Sequence, residues 1–226
     1  KQCLVGSEMC IRDRKKSQVK SFDLDILRYV KKPHQNDGGL KMLNGNIGKC
    51  VAKISAVKEQ FRYIKAKTLV FDDQEEVKKA YEKGKLNRNV IIVVRNQGPK
   101  ANGMPELHSL TPMLSNVQDL GFKVALLTDG RMSGASGKIL AAIHVTPEAI
   151  DNGVIGKIED DDEIEIDANN GKLNILTDIS KRNNSLLNDV KKNQSFGRNI
   201  FNTLRIHSQG SEAVSYTHLR AHETLL

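Results

Sequence analysis

Two loops hold the side chains that are best suited to chemistry, and each follows a run of β-branched and aliphatic residues. Residues 95–108 follow Val90–Val94 and contain two cations, a carboxylate and an imidazole, namely Arg95, Lys100, Glu106 and His108. Residues 128–138 follow Val124–Leu127 and read TDGRMSGASGK. Small residues leave backbone N–H groups open to an anion, so the second loop predicts anion binding. Ligands collect at the carboxyl ends of strands in mixed sheets, and we expect both loops to open on one such edge.

Neither loop matches a phosphate-binding or nucleophile motif that can be read from spacing alone. The second loop lacks the GxxxxGK[ST] pattern of P-loops. Its serine, Ser133, stands in Arg-Met-Ser-Gly-Ala, which is not the GxSxG of a nucleophile elbow. The first loop is also compatible with an ordinary long surface loop. The residues therefore leave open an anion site or a surface without chemistry.

The surrounding pattern alternates strands with helices. The hairpin signal is the clearest, because two alternating segments flank Ala-Asn-Asn-Gly. Asp72 or Asp73 is the expected N-cap of one helix, and Thr146 that of another with Pro147 at its first position. Phe196 and Phe201 are the expected anchors of the last helix. The pattern predicts a turn-rich segment at 38–49, strands at 51–57, 68–71, 90–94, 124–127, 163–167 and 172–176, and helices at 74–84, 113–120, after 146 and at 178–206. Such a pattern favours an α/β domain on a mixed, barrel-like sheet with flanking helices.

Composition excludes several classes of protein. Hydrophobic residues make up 38% of the 226 residues, which is too many for a disordered tail, and no apolar run reaches the length of a membrane span. Three cysteines without a CxxC pair predict neither a zinc ribbon nor a disulfide framework. The net charge is +8, but aromatic residues are only 4% and basic residues do not cluster in long runs. We therefore expect a solvated Lys-rich surface that binds no nucleic acid and no membrane.

The two ends differ from the middle of the chain. Residues 1–14 and 214–226 resemble translated adapter sequence, and we expect the native domain to span 15–213, with its natural start further upstream. His218 and His222 stand at the i, i+4 spacing of a metal pair, but no HExxH pattern accompanies them. We therefore expect no metal site there.

Several segments together carry a resemblance to a known family. QGPKANGMPELH at 97–108 and TDGRMSGASGK at 128–138 are joined by GGLKMLNGNIG at 38–48, LVFDDQEE at 69–76 and HVTPEA at 144–149. This set closely resembles the family that contains dihydroxy-acid, sugar-acid and phosphogluconate dehydratases, in one register from about residue 33 to about 205. The resemblance implies the C-terminal, swivelling-type domain of such an enzyme. The cysteines that hold the family's iron–sulfur cluster are then expected in an N-terminal domain, with no ligand in this chain.

The resemblance also implies a chemistry and roles for residues. The family are cytoplasmic hydro-lyases, usually dimers, that eliminate water from a 2,3-dihydroxy acid with an iron–sulfur cluster, expected to be [4Fe–4S], and Mg²⁺. The base of the DGR-x-SG motif corresponds to Ser133, and the magnesium ligand of the GM-x-E motif to Glu106. By charge and position we expect substrate contacts from Arg131, Lys138, Ser136 and His108. His108 and His144 are equally compatible with purely structural roles.

Two features favour the phosphogluconate branch, and two alternatives stay open. Gln97 and ANGMPELH favour a phosphorylated sugar acid over the branched-chain dihydroxy acids. The runner-up is a dihydroxy-acid or other sugar-acid dehydratase, and a non-catalytic anion-binding module of the same fold is the alternative from another class. Cys50 is disfavoured as a cluster ligand because clusters need several thiolates.

Overall fold

The structure is a computed structural model that describes residues 20–34, 38–133, 138–182, 203 and 207–215, without the side chains of 214 and 215. The chain divides into the units Lys1–Asn36 and Asp37–Leu226. In the first unit, residues 20–34 form consecutive turns, with the Leu27 N–H donating to the Asp23 carbonyl at 2.9 Å. Among the described residues, none of the helices combines the length and the hydrophobicity that a membrane span requires.

The second unit is built on a closed barrel of eight strands. Its order around the barrel is β1-β2-β6-β5-β4-β3-β7-β8. Neighbours from β3 to β6 through β4 and β5 are parallel, and the other long pairings are antiparallel. The strands are β1 Leu40–Gly45, β2 Gly48–Lys53, β3 Tyr63–Phe71, β4 Val90–Val94, β5 Val124–Thr128, β6 Leu140–Thr146, β7 Glu163–Asp167 and β8 Lys172–Ile175. The predicted α/β fold on a mixed, barrel-like sheet is confirmed.

Two hydrophobic clusters lie on the two faces of the parallel strands. In β4, Ile91 and Val93 belong to the cluster that all eight strands supply inside the barrel. Val90, Ile92 and Val94 belong to a second cluster outside it, with helical residues such as Leu114. Because both faces are covered, all five residues of β4 are buried. This is the physical reason why a parallel strand has an unbroken apolar sequence.

The helices whose full length lies within the described residues are α1 Gln74–Glu82, α2 Pro99–Asn102, α3 Thr111–Asp119 and α4 Ser211–Ser215. The predicted cap of α1 is confirmed, since the Asp73 side chain accepts a hydrogen bond from the Glu75 N–H at 2.9 Å. Pro112 lies in the first turn of α3. Backbone N–H groups in a first turn have no acceptor within the helix, so a proline there costs no hydrogen bond. Helices α1 and α3 therefore begin within two residues of their predicted first residues. Short 3₁₀ turns occupy Glu59–Phe61, His108–Leu110, Ala149–Asp151 and Val154–Lys157.

The prediction that Thr146 caps a helix is wrong. Thr146 is the last residue of β6, a strand that the sequence pattern does not reveal, and a 3₁₀ turn follows only at Ala149. Alanine has low β-propensity, and two alanines in Leu140–Thr146 hide the strand. The strand forms because β5 and β2 pair with its two edges.

Four other predicted segments differ from the structure. The segment predicted as turn-rich contains β1, and the strand predicted at 51–57 lies at 48–53, because these two strands meet in a tight hairpin in which Gly45 pairs with Gly48. Strand β3 begins at Tyr63 rather than at residue 68, because it also pairs with β7. Residues 178–182 form a turn instead of a helix. Most of the predicted helix beyond them, with Phe196 and Phe201, lies outside the described residues.

Candidate active site

The carboxyl ends of β4 and β5 lie side by side. The two strands are parallel and in register from Val90 opposite Val124 to Val94 opposite Thr128. The loops that follow them therefore leave the same edge of the barrel, as the sequence predicts. This adjacency brings residues 95–108 and 128–133 into one site.

Glu106 is the point where the two loops meet. Its Oε1 accepts hydrogen bonds from the backbone N–H of Ser133 at 2.6 Å and from that of His108 at 3.0 Å. A short parallel bridge joins Glu106 to Arg131, and the Leu107 N–H donates to the Arg131 carbonyl at 3.3 Å. The structure thus brings together four of the predicted site residues, although roles for them remain predictions.

Arg131 adds a positive charge to this cluster and pairs with the Glu106 carboxylate. Its Nη2 lies 3.7 Å from Glu106 Oε2, and its Nε donates to the Met104 carbonyl at 3.1 Å. The Arg131 and Glu106 side chains are 54% and 36% exposed, so the ion pair adds little to stability. The main consequence of the ion pair is geometric. The Glu106 carboxylate, the Arg131 guanidinium and Ser133 lie close together, and all three are accessible to solvent.

Hydrogen bonds hold the first loop, residues 95–108, in a defined conformation. The Gln97 Nε2 donates to the carbonyls of Asp72 at 2.7 Å and Arg95 at 3.1 Å, and its Oε1 accepts from Asn102 Nδ2 at 3.1 Å. The N–H groups of Asn102 and Gly103 both donate to the Gly98 carbonyl. These bonds fix the turn that carries the chain from β4 through α2 to Glu106.

Asp129 is a buried residue that binds the backbone beneath the site, and the sequence pattern does not single it out. It follows β5 directly and its side chain is fully buried. Its carboxylate accepts from the N–H groups of Gln97 at 2.8 Å, Asn96 at 3.1 Å and Ala149 at 3.1 Å. Burial raises the pKa of Asp129, and these N–H groups act in the opposite direction. The available signal was the aspartate of TDGR at the end of a buried strand.

Glu148 is a second buried carboxyl group that sequence reasoning missed. Its Oε1 accepts from the Ser211 N–H at 3.0 Å, whereas no described residue makes a hydrogen bond of good distance and angle to its buried Oε2. Burial raises the pKa of Glu148 to about 7, and the charge of Asp129 adds to the shift, while the N–H groups of Ser211 and Lys100 oppose it. A Cβ at position 98 would lie 2.1 Å from Oε2, so any side chain there would displace the Glu148 carboxyl group. Position 148 belongs to HVTPEA, one of the segments that carry the family resemblance.

The remaining predicted contacts have different outcomes. His144 lies half-buried with φ of 56°, and its N–H donates to the Gly130 carbonyl at 2.9 Å. Burial lowers its pKa, and the charge of Arg131 lowers it further, which favours a neutral ring. Lys138 is exposed, and among the described contacts no hydrogen bond or ion pair links it to Glu106. Ser136 lies outside the described residues.

Comparison with known proteins assigns the chain to a family. Residues 25–212 match the family model described as "Dihydroxy-acid/6-phosphogluconate dehydratase C-terminal". The chain belongs to this dehydratase family. It is 48% identical over 199 residues to a phosphogluconate dehydratase of Helicobacter pylori, covering 85% of this chain and 33% of that protein. It is 57% identical over 158 residues to one of Rhizobium meliloti, covering 70% and 26%.

A relative from another branch of the dehydratase family is more distant. A dihydroxy-acid dehydratase of Campylobacter lari is 42% identical over 155 residues, covering 67% of this chain and 27% of that protein. The chain spans between a quarter and a third of the length of these curated relatives.

The described residues of this dehydratase-family chain fit a ligand of a magnesium ion but not a ligand of an iron–sulfur cluster. Glu106 offers a hard carboxylate oxygen, Oε2, that faces Arg131 Nη2 at 3.7 Å but accepts no backbone hydrogen bond from a described residue, which fits one Mg²⁺ ligand. Within the described part of the chain, no group of three His, Cys, Asp or Glu residues could hold a metal by itself. Cys50 is fully buried inside the barrel and burial raises its thiol pKa, so it does not fit a cluster ligand.

Proposed function

We propose that this chain forms the C-terminal part of a hydro-lyase that dehydrates 6-phospho-D-gluconate to 2-dehydro-3-deoxy-6-phospho-D-gluconate. The relatives named phosphogluconate dehydratase are 43–57% identical to it, against 42% for the dihydroxy-acid dehydratase. Gln97 and the ANGMPELH loop favour the same branch. The observation that carries the proposal is the Ser133 N–H bond to Glu106, because it joins the two proposed functional residues in one site.

The proposed reaction is an elimination. A base takes the proton from C2 of the substrate, and the C3 hydroxyl group leaves with a proton as water. The enol that results tautomerises to the 2-keto acid. We assign the base to Ser133, whose exposed position at the rim of the site leaves room for a substrate. Its main chain is held by Glu106, so the hydroxyl group starts from a fixed point.

A serine hydroxyl group needs help to act as a base. A nearby positive charge lowers its pKa and stabilises the alkoxide. Within the chain, Arg131 supplies such a charge two residues away, and Glu106 holds it close to the loop of Ser133.

We further propose that Glu106 contributes one oxygen ligand to Mg²⁺, with the other ligands outside the described residues. When bound, the ion supplies positive charge that stabilises anionic substrate oxygens. Because the described residues do not fit an iron–sulfur cluster, its cysteine ligands are proposed to lie elsewhere in the complete protein. The complete enzyme is proposed to be a cytoplasmic homodimer.

Substrate binding is assigned to the cationic side of the same edge. The Arg131 guanidinium is half-exposed and suited to a carboxylate or phosphate group. Lys138, Ser136 and His108 are the further proposed contacts. Of these, the His108 main chain is fixed by Glu106, whereas Lys138 is an exposed turn residue before β6.

The substrate class is tested with the complete protein that contains this chain. Turnover is measured as keto-acid formation from 6-phospho-D-gluconate, from gluconate and from a branched 2,3-dihydroxy acid without phosphate. We expect the highest kcat/KM with the phosphorylated acid. A preference for the branched acid would support the dihydroxy-acid dehydratase alternative, which the Campylobacter lari relative favours. Binding of these acids without any turnover would indicate a non-catalytic anion-binding module.

A further inference from the structure

We propose that Asp129 is a positioning residue of the site, which holds the loops after β4 and β6 on the end of β5 and thereby keeps Ser133 against Glu106. This inference rests on the proposed function for its catalytic consequence. Its structural part concerns only the described residues. Asp129 itself is buried and touches no solvent, so it is not a candidate for contact with substrate.

The carboxylate of Asp129 joins the end of β5 to two other segments of the chain. Its Oδ1 accepts from the Gln97 N–H, and its Oδ2 accepts from those of Asn96 and Ala149. Gln97, Asn96 and Ala149 are 32, 33 and 20 positions away along the chain, so no local turn would form these bonds. Asn96 adopts φ of 60°, a conformation that costs energy for a residue with a side chain and that these bonds help to maintain.

A continuous set of contacts leads from Asp129 to the reacting edge. On one side, the anchored Gln97 turns the chain into α2 and on to Met104, whose carbonyl accepts from Arg131. On the other side, Gly130 packs so closely on Gln97 that a Cβ there would lie 2.6 Å from the Gln97 Cβ. Both routes end at the Glu106–Arg131 bridge and the Ser133 N–H.

The chemistry requires an acceptor without hydrogens at this place. Three N–H donors converge on one side chain, and only a carboxylate presents acceptor oxygens to all of them. An asparagine would turn its NH₂ group toward at least one N–H donor and leave that donor unpaired in a buried position. Loss of one anchor shifts the loops relative to each other rather than unfolding the barrel, because the clusters of apolar residues are untouched.

The test compares Asp129→Asn with Asp162→Asn in the complete protein. Asp162 is also a buried carboxylate, which accepts from the Glu159 N–H and pairs with Arg182, and no described residue of the loops after β4 and β5 makes a hydrogen bond with it. We expect kcat for 6-phospho-D-gluconate to fall about 100-fold in Asp129→Asn, with KM changed less than about threefold. We expect Asp162→Asn to lower the melting temperature but to keep kcat near the wild-type value.

Amide hydrogen exchange of Ser133 in the 226-residue chain separates this inference from the proposed function. Asp129→Asn should accelerate exchange at Ser133 and Gln97 by at least about tenfold, and Asp162→Asn should not. Unchanged exchange at Ser133 in Asp129→Asn would overturn the inference, whereas absence of turnover in the wild-type protein would overturn only the proposed function. If Asp129→Asn does not fold, the wild-type chain is measured at rising urea. Ser133, Gln97 and Ala149 should then open together, and independent opening of Ser133 would overturn the inference.

Discussion

The backbone N–H of Ser133 lies 2.6 Å from Glu106 Oε1, although 27 positions separate the two residues in the chain. The contact follows from the parallel register of β4 and β5, which places their two loops on one edge. It involves the main chain of Ser133 and leaves its hydroxyl group free of this role. Ser133 can therefore lose its hydroxyl group, and Glu106 can be replaced by glutamine, while a hydrogen bond between the two residues is kept.

Glu106→Gln is expected to impair magnesium use more than folding. The amide oxygen can still accept from Ser133 and His108, so the free energy of unfolding should change by about 1 kcal/mol or less. The loss of negative charge weakens a hard-cation ligand, and we expect kcat of the complete enzyme to fall roughly 100-fold with a higher Mg²⁺ requirement. The matched control is Glu82→Gln at the exposed end of α1. An unchanged kcat with an unchanged magnesium titration would remove Glu106 from the metal site.

The 226-residue chain alone is expected to show no measurable dehydration of 6-phospho-D-gluconate. It corresponds to between a quarter and a third of the length of the relatives it matches, and Glu106 is the one metal ligand that we assign to it. Without a full set of ligands, the departing hydroxyl group lacks an electrophile, which is worth several kcal/mol of barrier. Keto-acid formation is assayed with added Fe²⁺, sulfide and Mg²⁺. Turnover by the purified chain would contradict the assignment.

Glu148 is expected to make stability depend on pH. Its folded pKa of about 7 exceeds the ordinary value of 4.5, so the folded state binds more protons between these values. The free energy of unfolding should therefore fall as the pH rises from about 4.5 to 7, by on the order of 2 kcal/mol.

Glu148→Gln isolates this effect from that of Asp129, whose pKa is also raised. The variant keeps an acceptor for the Ser211 N–H but does not titrate. Urea unfolding at pH 5, 6, 7 and 8 should show a shallower fall for the variant than for the wild-type chain. Parallel curves for the two proteins would show that Glu148 titrates normally in the folded state.

The sequence predicts those parts of the fold that depend on local pattern. Val90–Val94 is recognisable because burial on both faces leaves no polar position, and β7 and β8 because a turn signal separates two alternating segments. Strand β6 is not recognisable, since its alanines have low β-propensity and its pairing comes from β5 and β2.

The same distinction between local pattern and long-range contacts applies to the residues of the candidate site. Glu106, Arg131 and Ser133 are predictable because their loops carry family motifs after buried strands. Asp129 and Glu148 are not, because their burial and hydrogen bonds depend on segments at least 20 positions away. A charged residue in a loop is usually exposed, and only the assembled barrel covers these two carboxyl groups.

Ser133→Ala in the complete enzyme tests the central claim most directly. The substitution removes the hydroxyl group but keeps the backbone N–H that binds Glu106, so melting temperature and metal content should match the wild type. A positioned base contributes about 10²–10⁴ in rate, and we expect kcat to fall by that factor with KM nearly unchanged. The matched control is Ser109→Ala, an exposed serine that bonds Gln74 near the same loop, and it should keep full activity. A Ser133→Ala enzyme with intact metals, normal melting and near-wild-type kcat would contradict the assignment of Ser133 as the base.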